Sequence, residues 1–133
     1  MKADAHLLFD GSCEKAFKFY ERVFGGKIEA MARAAGTPAE KMVSANAIIH
    51  ARLGVGSTTL MGADAPPDRY KKPQGMAVTV RCDAPEEALR VFKELTEGGE
   101  VQMAMAPTFF AHQFGSGTDR FGIPWMVICE KKM

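Results

Sequence analysis

One segment pattern occurs twice in this chain, and it restricts the possible folds more than any other feature. Residues 9–27, FDGSCEKAFKFYERVFGGK, show a strand end, a turn at Asp10-Gly11, an amphipathic stretch and a Gly-Gly stop. Cys13, Ala16, Phe17, Tyr20, Val23 and Phe24 recur at three- and four-residue steps, the spacing of one helix face. Glu14, Lys15, Lys18, Glu21 and Arg22 fill the opposite face. Ser12 is placed to cap the first turn, and Gly25-Gly26 offers the left-handed residue that ends helices. Residues 82–100, CDAPEEALRVFKELTEGGE, repeat the scheme. Setting Ala16 on Ala88 pairs Phe17 with Leu89, Tyr20 with Phe92 and Val23 with Leu95. Asp83 and Glu86 have capping-box spacing, and Pro85 sits where a missing N–H costs nothing. The alternative is two unrelated amphipathic helices that both end in glycine. The matching caps, apolar positions and exit strands favour a true repeat.

Around these helices, at about 13–24 and 85–97, the chain divides into short strands. Residues 3–9 and 27–33 flank the first helix, and 34–45 form a loop. Residues 46–53 and 57–61 are predicted to make a hairpin closed by Gly54-Val55-Gly56. The polar, proline-rich 65–74 separates the copies. The second copy begins with a strand at 75–82, its Met76, Val78, Val80 and Cys82 on one face. Strands at 100–106 and 108–114 follow, then a tight loop at 115–122 in which Asp119-Arg120 makes a turn and an ion pair. Pro124 opens a final strand, 125–130. The expected fold is α+β, with two βαβββ modules forming curved mixed sheets around a cleft. Module one covers about 1–64 and module two about 75–133, within one domain.

Bulk properties narrow the partners. A net charge of +1 with no long basic run provides no electrostatic footprint for nucleic acid or an anionic membrane. No apolar run approaches a bilayer span, and the first residues, MKADAHLLFDG, lack the apolar core of a signal peptide. Cys13, Cys82 and Cys129 are odd in number and lack C-x-x-C spacing, so a reducing compartment is expected, the cytoplasm.

The repeat, together with LLFDGSCEKAFKFYERVFGG at 7–26, IIHARLGVGSTTLMGAD at 48–64, FFAHQFG at 109–115 and DRFGIPWMVICE at 119–130, resembles the vicinal oxygen chelate superfamily. That superfamily includes glyoxalase I, bleomycin-resistance proteins and extradiol dioxygenases. The similarity is greatest to its PhnB-like branch, also described as 3-demethylubiquinone-9 3-methyltransferase-like. The resemblance implies paired βαβββ modules, a homodimer, and a cleft that holds a divalent metal in the active members. The metal positions, carried over by strand, fall on His6, Met61, Met76 and Met126. Thioether sulfur suits copper(I) rather than the zinc, nickel, iron or manganese of that chemistry, so no metal and no other cofactor is expected.

The candidate cleft residues are therefore His6, Met61, Met76, Phe110, Trp125 and Met126. The methionines offer a polarisable, adaptable lining, and Phe109, Phe110, Phe114, Phe121 and Trp125 gather the aromatics in the last third. His50 and His112 lie in predicted strands with no carboxylate spacing beside them. No complete catalytic set is present, so the catalytic residues are unknown. The favoured reading is a binding protein for a small apolar or aromatic molecule in a metal-free cleft. The alternatives are an enzyme (a lyase, isomerase or dioxygenase using an altered metal set or a histidine base) and a structural dimer with a filled cleft. No Gly-rich S-adenosylmethionine site on a doubly wound sheet accompanies the methyltransferase description.

Overall fold

The computed structural model describes residues 1–132. Its elements are β1 (Ala5–Phe9), α1 (Cys13–Phe24), β2 (Lys27–Arg33), a 3-10 turn (Pro38–Lys41), β3 (Ile48–Val55) and β4 (Thr58–Asp64). These are followed by β5 (Val78–Arg81), α2 (Pro85–Thr96), β6 (Glu100–Ala106), β7 (Ala111–Thr118) and β8 (Pro124–Glu130). The chain divides into two compact units at Lys71/Lys72, each with one helix and one four-stranded mixed sheet. The strand orders are β1-β4-β3-β2 and β5-β8-β7-β6. In each, the first and fourth strands run parallel and the other pairs antiparallel. This is the expected α+β arrangement of two similar βαβββ units.

In the first unit, α1 packs on the face that carries Leu7 and Phe9. Phe17 meets Phe9 edge-on at 6.1 Å, and Tyr20 lies 5.9 Å from Phe17. Cys13, Ala16, Phe17, Tyr20 and Val23 are buried, as their spacing required. Each fully buried large side chain contributes about 1.5–3 kcal/mol. Gly62 lies beneath this cluster, where a Cβ would stand 2.7 Å from Phe17 Cε1. In the second unit, Ala88, Val91, Phe92 and Leu95 form the buried stripe of α2.

The glycine pairs confirm the repeat by what they do. Gly25 and Gly98 take φ of 65° and 79°, in the left-handed region that frees glycine from the Cβ penalty. The next residues, Gly26 and Gly99, lie where a Cβ would collide with the carbonyl oxygens of Gly54 and Thr118. Those two carbonyls hold equivalent places, because Gly54 pairs with Lys27 and Thr118 with Glu100.

Several local expectations are corrected. Ser12 makes no side-chain cap. Instead Asp64, at the end of β4, accepts from Cys13 N and Ile48 N, both at 2.9 Å. The Asp83–Glu86 capping box does not form, since Ala84 is the cap residue of α2 with no side-chain bond. Leu89 is 44% exposed, so its pairing with buried Phe17 fails. The strand predicted at 75–82 is only Val78–Arg81, leaving Met76 before it. The loop predicted at 115–122 starts later, because residues 115–118 complete β7. Residues 108–110 are a turn rather than strand, tied by Thr108 Oγ1, which accepts from Phe110 N and Ala111 N.

Candidate functional site

Because one face of each sheet carries a helix, functional side chains must be sought on the other. In the first unit that face holds His6 and Met61, direct partners across the parallel β1–β4 ladder. Met61 in turn pairs with Arg52 on β3, and Arg52 Nε donates to Glu29 Oε1 at 3.0 Å. His6 is exposed, while Met61 and His50 are half-buried.

In the second unit the corresponding ladder sets Thr79 opposite Met126. The register therefore places Thr79, rather than Met76, where His6 stands in the first copy. The metal positions implied by the fold are then His6 and Met61 in one unit, Thr79 and Met126 in the other. This set supplies one imidazole nitrogen, one hydroxyl and two thioethers, and it does not fit a hard or borderline divalent ion. Among the described residues no group of three or more His, Cys, Asp or Glu gathers as a metal site.

A cavity of about 370 Å³ opens on the second unit. Its wall combines the segment 73–77, which includes Met76, with Gln102 of β6, Ser116, Gly117 and Thr118 of β7, and Pro124, Trp125 and Met126 of β8. Ser116 and Thr118 pair across the antiparallel ladder with Met126 and Pro124, so their hydroxyls share the helix-free face with the Met126 thioether. Met126 is 38% exposed. Thus two of the sequence-derived candidates, Met76 and Met126, come together on this face, while Trp125 adjoins them in β8 with its side chain buried on the helix-bearing side. His6 and Met61 meet each other in the first unit, whereas the residues lining the cavity all belong to the second. Phe110 lies outside the cavity too, in an aromatic group with Phe109 at 5.1 Å and Phe114 at 5.4 Å. His112 is exposed on β7.

The cavity wall is braced by Asp119, which is 3% exposed. Its Oδ1 accepts from Phe121 N at 2.8 Å and Ile123 N at 3.0 Å, and its Oδ2 accepts from Trp125 Nε1 at 2.8 Å. A buried carboxylate is sustained by such donors. The β7–β8 turn and the Trp125 indole are locked in one arrangement by it. Cys13 and Cys82 have little nucleophilic character. Burial first, then the charges of Asp64 and Glu14, pushes the Cys13 thiol up to about 12. Burial, then Glu87, pushes Cys82 up to about 11.

Sequence reasoning missed Thr79, Gln74, Gln102, Ser116 and Thr118. The signal available was the alternation Gly115-Ser116-Gly117-Thr118, whose period of two places both hydroxyls on one strand face.

Comparison with known proteins agrees with this architecture. The family model described as 3-demethylubiquinone-9 3-methyltransferase matches residues 1–128. The Escherichia coli K12 protein YjdN is 30% identical over 99% of this chain and 97% of its own length. Protein PA1353 from Pseudomonas aeruginosa is 41% identical, with a TM-score of 0.90 and 99% of both chains covered. A glyoxalase family protein from Bacillus cereus shares the fold at 14% identity and a TM-score of 0.71, over 98% of this chain and 94% of its own. The chain belongs to the 3-demethylubiquinone-9 3-methyltransferase-like (PhnB-like) family, on the fold of the glyoxalase and bleomycin-resistance proteins.

Proposed function

We propose that this chain is a binding protein that holds a small apolar or aromatic molecule without a metal, as a homodimer in the cytoplasm. The observation that carries this reading is the cavity of the second unit, where Met76 and Met126 flank hydroxyl and amide groups. Thioethers are polarisable and flexible, so they pack against flat ligands of varied outline. The donor set at the superfamily's metal positions supports a metal-free mode of binding. Methyl transfer is not part of the proposal, because each sheet is mixed and largely antiparallel rather than doubly wound around a nucleotide-binding turn.

Thermal-shift screening against aromatic metabolites and divalent ions tests it. A ligand at a hundred times its Kd stabilises by about 2.7 kcal/mol, a clear rise in midpoint. Met126→Lys, which sets a charge on the wall, is expected to abolish the shift. Elemental analysis after dialysis is expected to find no stoichiometric metal, and one ion per chain that disappears in His6→Ala would overturn the reading. Light scattering is expected to give twice the 14.5 kDa chain mass.

A further inference from the structure

We propose that the molecule held in this cavity is electrically neutral and carries a carbonyl or amide edge, read by Gln102 with Thr118. The inference rests on the proposed binding role of the cavity and adds the chemical class of ligand. Its first support is charge. The twelve lining residues include four glutamine, serine or threonine side chains, and none is ionisable. An ionic group brought against Met76 and Met126 would give up part of its hydration and gain no counter-charge from the wall, a net penalty. A neutral molecule avoids that penalty.

The second support is the hydrogen-bonding capacity of the wall. Gln74, Gln102, Ser116 and Thr118 could not all be covered by a purely hydrocarbon ligand without losing solvation. Thr118 Oγ1 lies 3.4 Å from Gln102 Oε1 and donates to it, which leaves the Nε2 end of that amide for a ligand. The Nε2 end carries two donors, and a hydroxyl offers acceptor lone pairs beside it. A ligand carbonyl accepts from Nε2, while a ligand N–H donates a hydrogen bond to a Ser116 or Thr118 hydroxyl oxygen. The hydroxyls reach the cavity because alternation along β7 sends Gly115 and Gly117 to the opposite face, towards Met105 and Thr96. Neighbouring strands thus present one polar edge beside an apolar floor, and a flat molecule with one polar edge complements both.

The test uses four probes of one size, measured by calorimetry and by methionine methyl shifts of the full chain: 2-naphthamide, 2-methylnaphthalene, 2-naphthoate and 2-naphthylmethylammonium. Naphthamide is expected to bind at least tenfold more tightly than either ion and to shift the Met76 and Met126 methyls. Gln102 lies exposed on an edge strand, so Gln102→Leu should fold normally. That variant is expected to erase at least fivefold of the preference for naphthamide over methylnaphthalene, and Thr118→Val to do the same in part. Ions binding as tightly as the amide would overturn the inference while leaving the cavity a binding site. A neutral preference unaffected by both substitutions would overturn the role of Gln102 and Thr118. No binding by any of the four would overturn the proposed function and this inference with it.

Discussion

Removing the Asp119 carboxylate should cost this protein more stability than almost any other single polar change. The side chain is 3% exposed and accepts from two backbone N–H groups and the Trp125 indole N–H, at 2.8 to 3.0 Å. Hydrogen bonds to a charged partner contribute about 1.5–3 kcal/mol each, and a stranded buried donor costs about 1–3 kcal/mol. Ile123 and Trp125 are both 2% exposed, so water cannot readily replace the lost acceptor for their N–H groups. Phe121 is less enclosed and recovers part of its loss from solvent. Asp119→Ala is therefore expected to destabilise by about 3–5 kcal/mol, a large share of the 5–15 kcal/mol typical of a domain. Asp119→Asn keeps one oxygen but points an N–H₂ at a donor, and should cost about 1–3 kcal/mol. Trp125→Phe completes a double-mutant cycle, with an expected coupling of about 1 kcal/mol or more. Urea unfolding at constant m-value reads all of these. A loss below about 1 kcal/mol for Asp119→Ala, or additivity with Trp125→Phe, would refute this account of the turn. The same substitution should weaken ligand binding, since Pro124 and Trp125 belong to the cavity wall.

Other outcomes follow from the same packing. Ser12→Ala should change stability by less than about 0.5 kcal/mol, whereas Asp64→Ala should cost about 2–4 kcal/mol by freeing Cys13 N and Ile48 N, and denaturant titration of both compares them. Gly117→Ala should destabilise by about 1–3 kcal/mol in the same assay, because the added Cβ would lie 2.6 Å from Thr96 Cγ2 and 2.8 Å from Glu100 O. Cys13 keeps its proton when folded up to about pH 12, but an unfolded thiol loses it from about pH 8.5, so the native state holds more protons between these values. Stability should thus fall with rising pH across that window, by up to about 1.4 kcal/mol per pH unit, and Cys13→Ala should flatten the alkaline limb.

How far the chain could be understood before folding depends on the range of the interactions involved. Both helices were legible because a period of 3.6 residues is a local property, and Cys13, Ala16, Phe17, Tyr20 and Val23 all point to the sheet as that period demands. The repeat was legible for a related reason: the chain turns through a left-handed glycine after each helix, at the C-cap of α1 and one residue past the C-cap of α2, and each exit strand needs a neighbour without a Cβ. Residues 115–118 misled because glycine and serine usually signal a turn. Here Gly115 and Gly117 are small because α2 and β6 crowd that face of β7 through Thr96, Met105 and backbone oxygens. Nothing local to the sequence encodes that crowding. The same holds for the cap of α1, supplied by Asp64 from 51 residues away while the adjacent Ser12 goes unused. It also holds for the site. Thr79 rather than Met76 faces Met126 because the parallel register of β5 on β8 sets the partner, and a strand's register is a pairwise property of two distant segments. Local periodicity is encoded residue by residue, but which side chains share a wall is decided only when strands distant in sequence are brought side by side.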